Sequence, residues 1–177
     1  MTSEQRGNEE QRAAMRAAAR RIDRVNTWLR VGGALPADEY QRLADDGITQ
    51  VVDLRQEQEL NEENSPPPAQ RLQDLGIARR QVPVANGHAP TLDQLKEVAG
   101  WLDAQADDTT LYVHCGGGFS RATVMAAGLL ITRGAVLEDA LKAIRSARPE
   151  MRLNEEQSAW LVEVAHQCSS GPLETSS

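Results

Sequence analysis

Aromatic residues are scarce: one Phe, two Tyr and three Trp make up 3% of the 177 residues, so aliphatic side chains and alanine must fill the interior. Only two cysteines are present, Cys115 and Cys168, which excludes a disulfide scaffold and predicts reduced thiols in a cytoplasmic setting. Three histidines and two cysteines offer no visible four-ligand set, so no metal and no other cofactor is expected; His166 and Cys168 read as late-helix packing. The longest apolar run, around Val124 to Ile131, is far shorter than the roughly 20 residues that cross a bilayer. The opening residues are charged rather than apolar, so neither a membrane span nor a secretory signal is expected. A net charge of −7 and a pI near 5.0 disfavour nucleic acid or an anionic membrane surface as partner. What remains, 40% hydrophobic and 25% charged residues, is the balance of an ordinary globular domain.

Along the chain, Met15, Ala18, Ile22 and Val25 recur at helical spacing, predicting an amphipathic helix from about Glu9 to Arg24 that packs on the body. Thr27 to Val31 reads as a strand, and Gly32-Gly33 as the turn into a helix running from near Pro36 to Gly47. A second strand, Ile48 to Leu54, is apolar enough to be covered on both faces. Gln56 to Ser65 is acidic without apolar periodicity and reads as a mobile loop, closed by Pro66-Pro67-Pro68. A short helix to Leu75 and a strand near Arg80 to Val84 follow. Then comes a loop from Ala85 to Pro90, and a helix that Thr91 and Gln94 begin with a capping box. Leu111 to His114 is a buried strand, succeeded by helices at about Ser120–Thr132, Leu137–Ala147 and Glu155–Gln167. Strands alternating with helices predict an α/β domain with a mostly parallel central sheet of four to five strands flanked by helices. The division expected is 1–26 as the packed N-terminal helix, 27–168 as the main domain and 169–177 as a disordered tail.

The chemistry concentrates where the Leu111 strand ends, in Val113-His114-Cys115-Gly116-Gly117-Gly118-Phe119-Ser120-Arg121. Three glycines allow successive N–H groups from Gly116, Gly117, Gly118, Phe119 and Ser120 to Arg121 to turn on one point, and the N-terminus of the next helix adds partial positive charge. The planar fork of Arg121 suits two oxygens of a phosphate. The same field favours the thiolate form of Cys115, a nucleophile able to attack phosphorus and form a cysteinyl-phosphate. His114 reads as a residue that shapes the loop. Asp53 and Arg55, closing a buried strand, read as a structural pair.

This segment resembles the His-Cys-x-x-Gly-x-x-Arg signature of the protein tyrosine phosphatase superfamily, with His114, Cys115, Gly118 and Arg121 at every fixed position. Val31-Gly32-Gly33, Val51-Val52-Asp53-Leu54-Arg55, and Arg148-Pro149 with Asn154 and Gln157 extend the resemblance to small dual-specificity phosphatases, over about Thr27 to Ala165. It implies the cysteine-phosphatase fold and metal-independent hydrolysis of phosphomonoesters, with Cys115 as nucleophile and Arg121 binding phosphate. The implied partner is a phosphorylated protein or peptide bearing phosphotyrosine, and also phosphoserine or phosphothreonine.

Two positions depart from that family. The stretch Val82-Pro83-Val84-Ala85-Asn86-Gly87-His88 resembles its general-acid loop, particularly in the kinase-associated phosphatase branch, yet the acid position holds Asn86. An amide gives up no proton at neutral pH, and a lost general acid typically removes a factor of about 10² to 10⁴. Three readings follow. His88 supplies the proton instead, the chain is a slow or inactive pseudophosphatase that binds phosphorylated protein, or Asn86-Gly87 deamidates to aspartate. The second departure is Ala122, where the family usually has a serine or threonine that hydrogen-bonds the leaving thiolate.

Overall fold

The computed structural model describes residues 3–62 and 68–171. Its strands are β1 (Ile22–Arg24), β2 (Leu29–Gly33), β3 (Gln50–Asp53), β4 (Ala78–Gln81) and β5 (Leu111–Cys115). Its helices are α1 (Ser3–Ala19), α2 (Gln41–Asp45), α3 (Glu57–Glu62), α4 (Pro68–Asp74), α5 (Leu92–Asp103), α6 (Arg121–Thr132), α7 (Leu137–Ala147) and α8 (Glu155–Ser170). The sheet runs in the order β1-β2-β5-β3-β4, with β1 antiparallel to β2 and every other pairing parallel. This is the mostly parallel α/β sheet that alternating strands and helices predict.

β5 lies at the centre, and all five of its residues are buried, which accounts for a strand written almost entirely in apolar letters. One face carries Leu29, Val31, Val52, Leu95, Val113, Met125 and Ile144, where α5, α6, α7 and α8 pack. α6 is the hub of that layer, buried from Arg121 to Ile131. The opposite face is smaller: Leu35, Tyr40, Leu43, Val51, Leu72, Ile77 and Tyr112. Both capping boxes, Thr91 with Gln94 and Asn154 with Gln157, are formed.

Four expectations are corrected. The N-terminal helix ends at Ala19, and Ile22–Arg24 is an edge strand; Ile22 continued the helical spacing of Met15 and Ala18 but pairs with Gly32 instead. Up to residue 14 the described side chains of α1 are exposed, and Ala18 is its buried anchor, so it rests on the body by its last turn rather than along its length. Gly32 and Gly33 form no turn; they belong to β2. Glu57–Glu62 is helical, not an irregular loop, because acidic residues in a first helical turn complement its dipole and Glu59 has a distant partner described below. Of the expected tail, Ser169 and Ser170 continue α8 and residues 172–177 lie outside the described set, as do 63–67.

Candidate active site

Residues 115–121 join β5 to α6 beyond the carboxyl end of the central strand, where ligands bind in parallel α/β sheets. Each carbonyl from residue 115 to 119 is held from outside. Cys115 O accepts from His114 Nδ1 at 3.3 Å and Gly116 O from the Ala34 amide at 2.8 Å. Gly117 O and Gly118 O accept from Arg148 Nη2 and Nε at 2.8 and 2.6 Å. Phe119 O accepts from the Arg152 amide at 2.6 Å and the Thr123 hydroxyl at 3.2 Å. In a trans peptide the carbonyl and the next N–H point in opposite directions, and no cis peptide is present among the described residues. Five carbonyls held outward therefore turn the N–H groups of residues 116–120 into a common hollow. Gly118 N–H, which donates to Cys115 Sγ at 3.3 Å, displays this directly.

Glycine is required where the loop meets β2. Gly118 has φ +75°, and a Cβ there would sit 2.1 Å from the carbonyl carbon of Gly32. A Cβ on Gly33 would sit 2.5 Å from Ala19 O and 2.7 Å from Gly116 O. The two glycine stretches lie back to back, so the strand can hold the loop only by having no side chain.

Arg148 is the loop's second support. It is fully buried, stacks over Phe119 with 4.8 Å from Cζ to the ring centroid, and is itself fixed by Asp23 at 2.7 Å and Ala18 O at 3.0 Å. The end of α1 and strand β1 thus brace the loop through one guanidinium.

Arg121 is almost fully buried. Its Nη1 and Nη2 donate to the two oxygens of Glu59 at 2.8 and 2.7 Å, and Nη1 also to Val84 O at 2.9 Å. Of five guanidinium N–H groups, these contacts occupy the end-on edge and the outer Nη1 hydrogen. The side-on edge, Nε–H with the second Nη2–H, is the edge a bidentate oxyanion needs, and Cys115 also hydrogen-bonds the guanidinium. Burial works against the charge of Arg121, but Glu59 and the negative field of Cys115 outweigh it and raise its pKa. In return Arg121, opposed only in part by burial, holds the Glu59 carboxyl below the usual carboxylate range.

Behind the loop, Asp53 is completely buried and receives Arg55 through Nε and Nη2 at 3.0 and 2.9 Å and Arg79 at 2.8 Å. Burial opposes its ionisation, yet the positive fields of His114, Arg55 and Arg79 overcome this and hold Asp53 well below the usual range. Burial lowers the His114 pKa more than Asp53 raises it; Nδ1 bonds Cys115 O and Nε2 lies 3.7 Å from the Asp53 carboxylate.

Cys115, the Gly116–Ser120 amides and Arg121 are thus brought together. Asn86 and His88 sit on the turn closed by His88 N–H to Ala85 O. That turn is tied to the start of α8: Asn154 donates to Gly87 O at 2.6 Å, Gln157 to His88 O at 3.1 Å, and Glu156 accepts from the Ala89 amide at 3.2 Å. Gln157 Oε1 also accepts from the Ser120 hydroxyl at 2.9 Å, linking turn and loop. The His88 ring is exposed and faces Glu156 at 3.1 Å; Asn86 is exposed. Thr123 turns its hydroxyl to Ser120 O at 2.7 Å. No group of three or more His, Cys, Asp or Glu able to hold a metal occurs among the described residues, and no described helix is long and apolar enough to cross a membrane.

Sequence reading missed Glu59, the brace formed by Arg148 and Asp23, and the back-to-back glycines. Glu59 sits among like residues with nothing to single it out, and Arg148 was legible only as part of a family resemblance.

A cysteine and an arginine on a loop between the central parallel strand and a buried helix define a dual-specificity-like member of the protein tyrosine phosphatase superfamily. Solved structures with this architecture include PTPMT1 (23% identity, TM-score 0.75, covering 85% of this chain and 97% of that one). A kinase-associated phosphatase whose catalytic-site cysteine is replaced by serine matches at 21% identity and TM-score 0.73, with 85% and 97% coverage. Human DUSP28 matches at 26% identity and TM-score 0.66, with 84% and 95% coverage. No curated protein sequence matches the chain. The model of the Tc-R-P family, described as "Polymorphic toxin system, DSP-PTPase phosphatase", matches residues 30–135, and the chain belongs to that family.

Proposed function

We propose that the protein hydrolyses phosphomonoesters of phosphorylated proteins, phosphotyrosine above all and phosphoserine or phosphothreonine more slowly, in a reducing cytoplasmic setting. The phosphoryl dianion sits on the amides of Gly116, Gly117, Gly118, Phe119 and Ser120 and on the side-on edge of Arg121. Cys115 Sγ attacks phosphorus as the ester P–O bond breaks, giving a cysteinyl-phosphate and a leaving oxygen that takes up a proton. Water then attacks the same phosphorus, the S–P bond breaks, and inorganic phosphate leaves with the sulfur restored. The reading is carried by one observation: five consecutive carbonyls anchored outward, which leaves an amide-lined hollow over a cysteine. A PTPMT1 structure is described as a complex with PI(5)P, but loop residues Gly116, Gly117, Phe119 and Ser120 add no cation for further phosphates, which favours phosphoprotein here.

Turnover of para-nitrophenyl phosphate in the presence of a chelator tests this. The parent is expected to be active and Cys115→Ser inactive; equal activity in both would end the proposal. A second reading, a module that binds phosphorylated protein and turns it over slowly or not at all, is favoured by Asn86 at the acid position and by a Thr123 hydroxyl committed to Ser120 O. Tight vanadate or phosphopeptide binding without turnover would select it.

A further inference from the structure

Residues Asn8, Gln11, Arg12, Met15 and Arg16 recur at helical spacing and form one stripe along α1. Facing that stripe is Arg152, whose amide is bonded to Phe119 O in the wall of the 115–121 loop. Between them lies a groove of about 390 Å³ lined by these six residues. It holds three guanidinium groups, two carboxamides and no carboxylate. The neighbouring Arg20 and Arg21 meet Glu39, Asp23 and Glu150, whereas Arg12, Arg16 and Arg152 have no ion-pair partner among the described residues. Three cations without an ion-pair partner line the two sides of one groove, in a chain of net charge −7, and make a local positive field that favours an anion.

Resting on the phosphoprotein reading above, we propose that this groove binds an acidic segment of the substrate polypeptide flanking the phosphoresidue. The stripe from residue 8 to 16 spans about 12 Å at about 1.5 Å per residue, the length of about four residues of extended chain. Acidic side chains on such a segment reach the guanidinium groups while the phosphoresidue occupies the hollow beside Arg152. Two other polyanions fit less well. The groove lining contains no aromatic ring on which a base would stack. The stripe has Met15 as its one apolar residue, too little to seat a helix in a membrane interface.

The test measures fluorescence anisotropy with labelled, unphosphorylated peptides whose flanks are acidic or neutral, on the full chain. The expected result is at least tenfold tighter binding of the acidic peptide at low salt, an advantage that disappears in about 0.5 M NaCl as screening shortens the reach of these charges. Arg12→Glu with Arg16→Glu abolishes the advantage, and Arg12→Gln with Arg16→Gln reduces it, while para-nitrophenyl phosphate turnover and the thermal melt stay at parental values. Equal binding of both peptides, a preference untouched by either double variant, or an oligonucleotide or anionic vesicle displacing the peptide at lower concentration than the peptide's own Kd would overturn the proposal. The binding readout needs no turnover, so failure of the phosphatase reading shows separately, as an inactive parent that still binds the acidic peptide.

Discussion

The Glu59 carboxylate closes on the end of the Arg121 guanidinium at 2.7 and 2.8 Å, across 62 residues of chain. The pair fixes the plane of the guanidinium through its end-on edge. Glu59→Ala should therefore raise KM for para-nitrophenyl phosphate and lower kcat together, about 10- to 100-fold in kcat/KM, as charged hydrogen bonds of about 1.5–3 kcal/mol are lost. Glu59→Gln, which keeps one acceptor oxygen, should recover part of the loss. Steady-state kinetics on the three proteins decide it; an Ala variant with parental kcat/KM would show that Arg121 orients itself.

The contact between Gly118 and Gly32 predicts an all-or-none response. Gly118→Ala introduces both a left-handed backbone cost of about 1–2 kcal/mol and an overlap with backbone that cannot rotate away. Phosphate and vanadate binding should vanish, and the melting temperature should fall by several degrees. Gly87→Ala, also at positive φ but with open space around its Cβ, should show the backbone cost alone and keep vanadate binding.

Arg148 allows the brace to be tested apart from chemistry. Arg148→Lys keeps the charge but cannot reach Gly117 O, Gly118 O, Asp23 and Ala18 O at once. KM for a small aryl phosphate should rise at least tenfold, with product inhibition by inorganic phosphate weakened in parallel. Asp23→Asn, removing only the outer partner, should give the same pattern at smaller amplitude.

How much of this was visible beforehand follows from the range of the forces involved. The run from Leu111 through Thr132 was legible because strand, glycine loop and helix are written in consecutive residues, and the Thr91 capping box because its partners lie three apart. The same locality misled at Ile22, whose spacing continues the helix while its pairing with Gly32 is tertiary. It misled again at Glu57–Glu62, where helical propensity and an acidic run say nothing of a guanidinium on α6. Arg148 binds main-chain carbonyls, which carry no sequence signature.

Asp53 ties part of the fold's stability to pH. Its pKa is lower in the native state than the ordinary 3.8, so its contribution is fully present above that value and is lost as pH falls from about 4 through the native pKa. Asp53→Asn leaves the buried Arg55 and the half-buried Arg79 against a neutral amide and should cost about 3–5 kcal/mol at pH 7. The gap between parent and variant should narrow steadily below about pH 4. Urea melts at pH 7, 5 and 3 measure it, and a gap independent of pH would remove Asp53 from this role.

Asn86 is exposed on a turn that Asn154, Glu156 and Gln157 tie to α8, and Gln157 in turn bonds Ser120 of the loop. Position 86 is thus carried on a segment that Gln157 ties to the 115–121 loop. Asn86→Asp should raise kcat at least tenfold, toward the 10² to 10⁴ that a general acid typically supplies. The gain should be larger for phosphoserine than for para-nitrophenyl phosphate, because an alkoxide needs the proton that a nitrophenolate does without. A new basic limb should appear in the pH profile as the introduced carboxyl ionises. His88→Ala should change neither rate nor profile, since His88 faces Glu156 and solvent. A pH-dependent loss in His88→Ala together with no gain in Asn86→Asp would move the proton donor to His88.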